Sequence, residues 1–185
     1  MSNRKRQNLL IGISAGLGTV LILAAAWQFS KGQRFNSFSD EAGQYSIKYP
    51  YTWALQKTPG DASVMFFSEQ EGELDIFREN VSVVVQDLSG NPQDLNDYSE
   101  MAVKQMEAVF KDNLTILDSS PVRFAKRQGY KFEFIGKGPE TEFHYLIYWT
   151  ISGVTAYQVT YTALASQYER YLYKVKKMIK SFRIR

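Results

Sequence analysis

The sequence predicts an α+β protein: an antiparallel β-sheet packed between helices, preceded by one transmembrane helix. Three observations carry that expectation. Residues 9–29 are an apolar run without a charge. Beyond residue 44, short segments alternate apolar and polar residues and follow one another as hairpins, as antiparallel strands do. Two stretches, 95–111 and 168–182, switch to the spacing of amphipathic helices. Consecutive strands with only two helices among them read as α+β.

The first eight residues are basic through Arg4, Lys5 and Arg6, which directs the N-terminus to the cytoplasm. Next comes "LLIGISAGLGTVLILAAAWQF", 9–29. As a helix rising about 1.5 Å per residue, it is long enough for a hydrocarbon core of ~30 Å. Trp27 stands at its far end, where an indole suits the boundary of lipid and water. The alanines at 24–26 also offer the cleavage site of a signal peptide, but the apolar run exceeds that peptide's usual core of about 7–15 residues, which favours an anchor. Either way the remainder works outside the cytoplasm. Gly12 and Gly16 place small residues on one helix face, where another helix can approach closely. Residues 30–43 are short and polar and read as a tether, leaving 44–185 as the folded domain.

Tyr45, Ile47 and Tyr49 alternate with Ser46 and Lys48 until Pro50 ends the ladder. Trp53 follows three residues later and is expected to plug the sheet's edge. Segments 63–68 and 80–88 are the next strands, the second with Val81, Val83 and Val85 on one face. After the turn signal "SGNP" comes the helix 95–111, with a stripe of Leu95, Tyr98, Met101, Ala102, Gln105, Met106, Val109 and Phe110. Asp97 and Glu100 sit near its positive end. Strand character returns at 114–125 and 129–137, and 142–151 pairs with 154–163 about Ser152-Gly153. The last helix shows Tyr168, Tyr171, Leu172, Val175, Ile179 and Phe182 on one side. Lys174, Lys176, Lys177 and Lys180 back it, as a solvated face or as a contact for anionic lipid or an acidic partner.

Composition excludes several kinds of chemistry. The chain has no cysteine, so disulfides, thiol nucleophiles, zinc–thiolate sites and a lipidated cysteine are ruled out. The net charge of +3 is segregated. Residues 1–34 hold five cations and no acid, 35–164 ten cations against eighteen acids, and 165–185 seven cations against Glu169. A basic pI therefore gives no sign of nucleic-acid binding. The single histidine, His144, shares a strand face with Glu142, and one imidazole with one carboxylate is an incomplete metal site. No G-x-S-x-G elbow supplies a nucleophile. Glu69, Glu71, Glu73, Asp75 and Glu79 crowd one stretch, expected as a solvated loop, a weak divalent-cation site, calcium included, without EF-hand spacing, or a contact for a basic partner. "IGKGPE" lacks phosphate-loop spacing, and "GISAGLG" has no strand before it. No catalytic residue, cofactor or small-molecule substrate is expected.

The strand ending in Tyr49-Pro50 and followed by Trp53 resembles the start of PsbP-type domains. "ENVSVVVQDL", "LNDYSEMAVKQME", "AYQVTYTA" and "YERYLYKVKKMIKSF" follow in the expected order, over about residues 36–184. That superfamily includes the extrinsic photosystem II protein PsbP and bacterial DcrB-like proteins. The resemblance implies a PsbP-like α/β/α sandwich, no shared catalytic centre, and a role on the lumenal or extracytoplasmic side of a membrane. It implies partners among photosystem subunits or another membrane complex. A membrane anchor in place of a transit peptide or lipidated cysteine fits an auxiliary factor better than a plant-type extrinsic subunit. A DcrB-like or general extracytoplasmic binding domain is the alternative.

Overall fold

The computed structural model describes residues 34–57, 64–73, 75 and 77–185. The expected anchor, with Gly12 and Gly16, lies outside the described residues, among which no helix is long and apolar enough to cross a membrane. The elements run β1 (Phe35–Asp40), β2 (Tyr45–Pro50), β3 (Ala54–Lys57), β4 (Val64–Phe67), β5 (Asn80–Asp87), α1 (Leu95–Phe110), β6 (Leu114–Phe124), β7 (Arg127–Lys137), β8 (Glu142–Ser152), β9 (Thr155–Leu164), α2 (Tyr168–Ser181) and β10 (Arg183–Ile184). A seven-stranded antiparallel sheet has the order β3-β4-β5-β9-β8-β7-β6, and β1-β2-β10 form a second, smaller sheet.

The two faces of the large sheet bury separate cores. On one, Phe132, Phe134, Ile147 and Trp149 meet α1 through Tyr98, Met101, Met106 and Phe110. On the other, Val81, Val83, Leu146, Val159 and Tyr161 meet α2 and the small sheet through Tyr171, Val175, Met178, Tyr45 and Ile47. Period-2 alternation therefore separates two buried faces instead of a buried and a wet one. The expected sheet between helices is present, with strands in the majority.

Three local expectations change. The stretch read as a tether holds β1, whose Phe38 lies opposite Ile47 in register. Its phenylalanines are three apart, which hid the strand. The buried stripe of α1 is turned from the one expected: Gln105 and Val109 are exposed, while Ser99 is buried at 3% exposure. Ser99 faces inward because its hydroxyl accepts from Trp149 Nε1 at 2.7 Å and donates to the Leu95 carbonyl at 2.6 Å. The helix is capped by Asp94, whose carboxylate accepts from the amides of Asn96 and Asp97. The β8–β9 turn is centred one residue later than expected, on Gly153-Val154, with Gly153 at φ 62° supplying the first position of a II′-like hairpin.

The Tyr-Pro-x-x-Trp corner is structural. Pro50 closes β2, the Trp53 amide donates to the Pro50 carbonyl at 3.0 Å, and the buried indole meets Tyr171 edge-on at 5.6 Å.

The β6–β7 hairpin turns through Ala125 and Lys126, at φ 50° and 65°. Left-handed backbone costs a residue with a Cβ about 1–2 kcal/mol. Lys126→Gly is therefore expected to raise stability by up to ~1 kcal/mol after the added freedom of the unfolded chain is deducted. The midpoint of urea unfolding of the full chain in detergent measures it.

Candidate functional site

The N-terminal half of α2 gathers the charged residues of two sheet strands and one loop. Lys131 and Glu133 lie on the face of β7 opposite Phe132 and Phe134, and so beneath α2. Lys131 Nζ reaches Glu133 at 2.6 Å and Asp118 of β6 at 3.0 Å. Glu133 Oε1 also accepts from Tyr168 Oη at 2.8 Å and from His144 Nε2 at 3.0 Å. The His144 ring stacks flat on Tyr168, with centroids 3.4 Å apart.

Electrostatics follow from burial. Desolvation pulls the His144 pKa below its ordinary value, outweighing the support its protonated form gains from Glu133. At neutral pH the ring is uncharged and donates Nε2–H to the carboxylate. Glu133 also pays for burial, but the Lys131 and Tyr168 hydrogen bonds outweigh it and hold its pKa below the usual carboxylate range. One imidazole nitrogen, Nε2, is thus engaged by a carboxylate.

Nearby, Glu71, Glu73, Asp75 and Glu79 line an open depression of about 410 Å³ with Phe77, Leu164 and Gln167. Glu71 is tied to α2: it accepts from the Tyr171 hydroxyl and pairs with Arg170 at 2.5 Å. Its amide donates to Asp75 at 3.0 Å. Glu79 is buried, and desolvation, together with Asp75 and Glu71, raises its pKa. Glu69 is exposed.

The structure therefore brings Glu71, Glu73, Asp75 and Glu79 to one depression but gives Glu142 and His144 different partners. Glu142 pairs with Lys137 at 3.4 Å. Among the described residues, no three His, Asp or Glu side chains are grouped to hold a metal ion. Sequence reasoning missed Glu133. His144 lies opposite Ile135 in the β7–β8 register, so Glu133 is its diagonal neighbour across the strands. The available signal was Lys131 and Glu133 alternating with two phenylalanines in a strand covered on both faces.

The lysines of α2 form its outer face. Lys176 and Lys180 are exposed; Lys174 lies over the Tyr171 ring at 5.4 Å, and Lys177 over Tyr173 at 4.4 Å.

A family profile described as PsbP matches residues 33–184. The chain belongs to the PsbP family. Among solved structures, this PsbP-family chain is similar to the solution structure of cyanobacterial PsbP (CyanoP) from Synechocystis sp. PCC 6803. That match has 16% identity and a TM-score of 0.60, over 82% of this chain and 92% of that one. It is also similar to the Ran-binding protein Mog1p of Saccharomyces cerevisiae, at 11% identity and a TM-score of 0.58, over 82% and 95% of the two chains. LpqN of Mycobacterium tuberculosis, described as involved in cell envelope biogenesis, matches at 10% identity and a TM-score of 0.59, over 82% and 91%. At these identities the likeness is one of fold. No curated protein sequence matches.

Proposed function

We propose that this chain is a non-catalytic, membrane-anchored PsbP-family protein that assists assembly or stability of a photosynthetic membrane complex, photosystem II foremost. The observation that carries this is the PsbP match over residues 33–184, nearly the whole described body. Residues 9–29 hold the chain in the bilayer with the N-terminus in the cytoplasm, and the domain stands in the thylakoid lumen or its extracytoplasmic equivalent. The apolar, charge-free composition of 9–29 supports that placement. The second reading, a DcrB-like or general extracytoplasmic binding domain, draws on the same fold in Mog1p and LpqN.

A pull-down in mild detergent with an affinity tag after Arg185 tests both. Photosystem subunits are expected with the wild-type chain, and fewer when Gly12 and Gly16 are replaced by leucine. Recovery of the chain alone would sink the auxiliary-factor reading and leave the binding-domain one.

A further inference from the structure

We infer that the face formed by Tyr51, Tyr173, Lys174, Lys176, Lys177 and Lys180 docks on the anionic surface of the bilayer that holds the chain's own N-terminal segment. The inference rests on the anchored reading above and adds how the domain sits on its membrane.

Reach comes first. Between the expected anchor, ending at Phe29, and β1, starting at Phe35, lie five residues. Fully extended they span at most about 18 Å. The part of the domain where β1 begins must therefore stay close to the headgroups.

The structure identifies that part. The Arg34 carbonyl accepts from the Tyr51 amide at 2.9 Å, so the chain comes in beside Tyr51, whose side chain is 58% exposed. The next residue, Phe35, lies under Lys177 Nζ at 5.8 Å, and the same ammonium sits 4.4 Å from the ring of Tyr173, which is 61% exposed. The incoming chain thus adjoins the outer face of α2.

The charged residues named on that face are all cations. From Lys174 to Arg185 the sequence holds six cations and no acid. Lys176 and Lys180 also rim a depression of about 390 Å³ shared with Arg123, Lys126 and Arg183, which extends the positive field beyond the helix. None of these five makes an ion pair among the described residues. Glu71 of the acidic loop is tied instead to the opposite, N-terminal end of α2 through Arg170 and Tyr171.

A row of lysines flanked by exposed tyrosines is the chemistry of a membrane–water boundary: amphipathic rings settle at headgroup depth while ammonium groups meet lipid phosphates. The attraction fades within a Debye length, ~8 Å at physiological salt, so it acts only on a surface held close. The short connection holds it there.

The test uses the full chain in phosphatidylcholine vesicles, with and without phosphatidylglycerol. Because the protein has no cysteine, a single introduced one takes a fluorophore cleanly. Tyr173→Cys reports the docking face, and Val109→Cys, 70% exposed on α1 across the sheet, is the reference. Quenching by brominated lipid is expected to be several-fold stronger at 173 than at 109 on anionic vesicles. It should fall towards the reference on neutral vesicles and at high salt, by roughly fivefold in docking constant for each lysine changed to glutamine. Near-UV circular dichroism checks that these surface variants keep the fold. Equal quenching at the two positions, or indifference to lipid charge, would overturn the docking face and give it to a protein partner, with the anchor intact. Release of the chain from vesicles by alkaline carbonate would overturn the anchored reading, and docking with it.

Discussion

Trp149→Ala is expected to be the most damaging single change in the described domain, lowering stability by about 3–5 kcal/mol. Domains of this size have roughly 5–15 kcal/mol in total. Trp149 is buried at 1% exposure and stacks on Tyr130 at 5.2 Å, with Tyr98 edge-on at 6.4 Å. Removing the indole opens a cavity between α1 and the sheet and deletes the hydrogen bond to Ser99 that fixes the helix's rotation. The reciprocal change, Ser99→Ala, leaves the indole N–H buried without its acceptor, at about 1–3 kcal/mol. Trp149→Phe keeps most of the apolar surface and should fall between. If the hydrogen bond orients α1, Ser99→Ala added to Trp149→Phe will cost less than the two alone. Urea unfolding of the full chain in detergent, followed by near-UV circular dichroism, reads all four. A loss under 1 kcal/mol for Trp149→Ala would mean that α1 is not held on the sheet as described.

The same contact shows why part of this fold was legible in the sequence and part was not. Val81 and Val83, Phe132 and Phe134, and the α2 stripe from Tyr168 to Phe182 announce themselves because each buries an apolar side chain at the period of its element. β3 could not be read that way, since all four of its residues are exposed and it belongs to the sheet only by backbone pairing with β4. Nor could the rotation of α1: a serine turns inward because a tryptophan fifty residues away needs an acceptor, and spacing along the helix carries no trace of that.

The site followed the same division. The acidic loop and the lysine face were visible because like charges crowd together in sequence, and both occupy continuous surfaces in the structure. The histidine's partner was not visible. Glu142 is nearer in sequence, but strand register brings Glu133 diagonally across to His144, and β8 sends Glu142 to Lys137 instead. Register depends on the whole sheet, and a local pattern does not encode it.

Acid should therefore destabilise this domain in two steps, both traceable to the Glu133 cluster. The folded pKa of His144 lies below the ordinary imidazole value of about 6.5, so as pH falls below that value the unfolded chain takes up the proton first. Stability declines until the pH passes the folded value. Glu133 has its folded pKa below 4.5, so its contribution is complete above 4.5 and is lost as pH falls through that lowered value. Lys131 stays charged throughout this range and keeps Asp118 as a partner. His144→Gln should flatten the first step and leave the second. Glu133→Gln should shrink the second to the part that Asp118 carries, and deepen the first, because the carboxylate that supports protonated His144 is gone. At neutral pH the same variant should cost about 1.5–3 kcal/mol, the worth of hydrogen bonds to a charged group, since Lys131, Tyr168 and His144 all lose an ionised acceptor. Melting temperatures of the full chain from about pH 2.5 to 8, for wild type and both variants, decide it. Parallel curves for all three would mean that the cluster is not coupled to folding, and that acid acts elsewhere in the molecule.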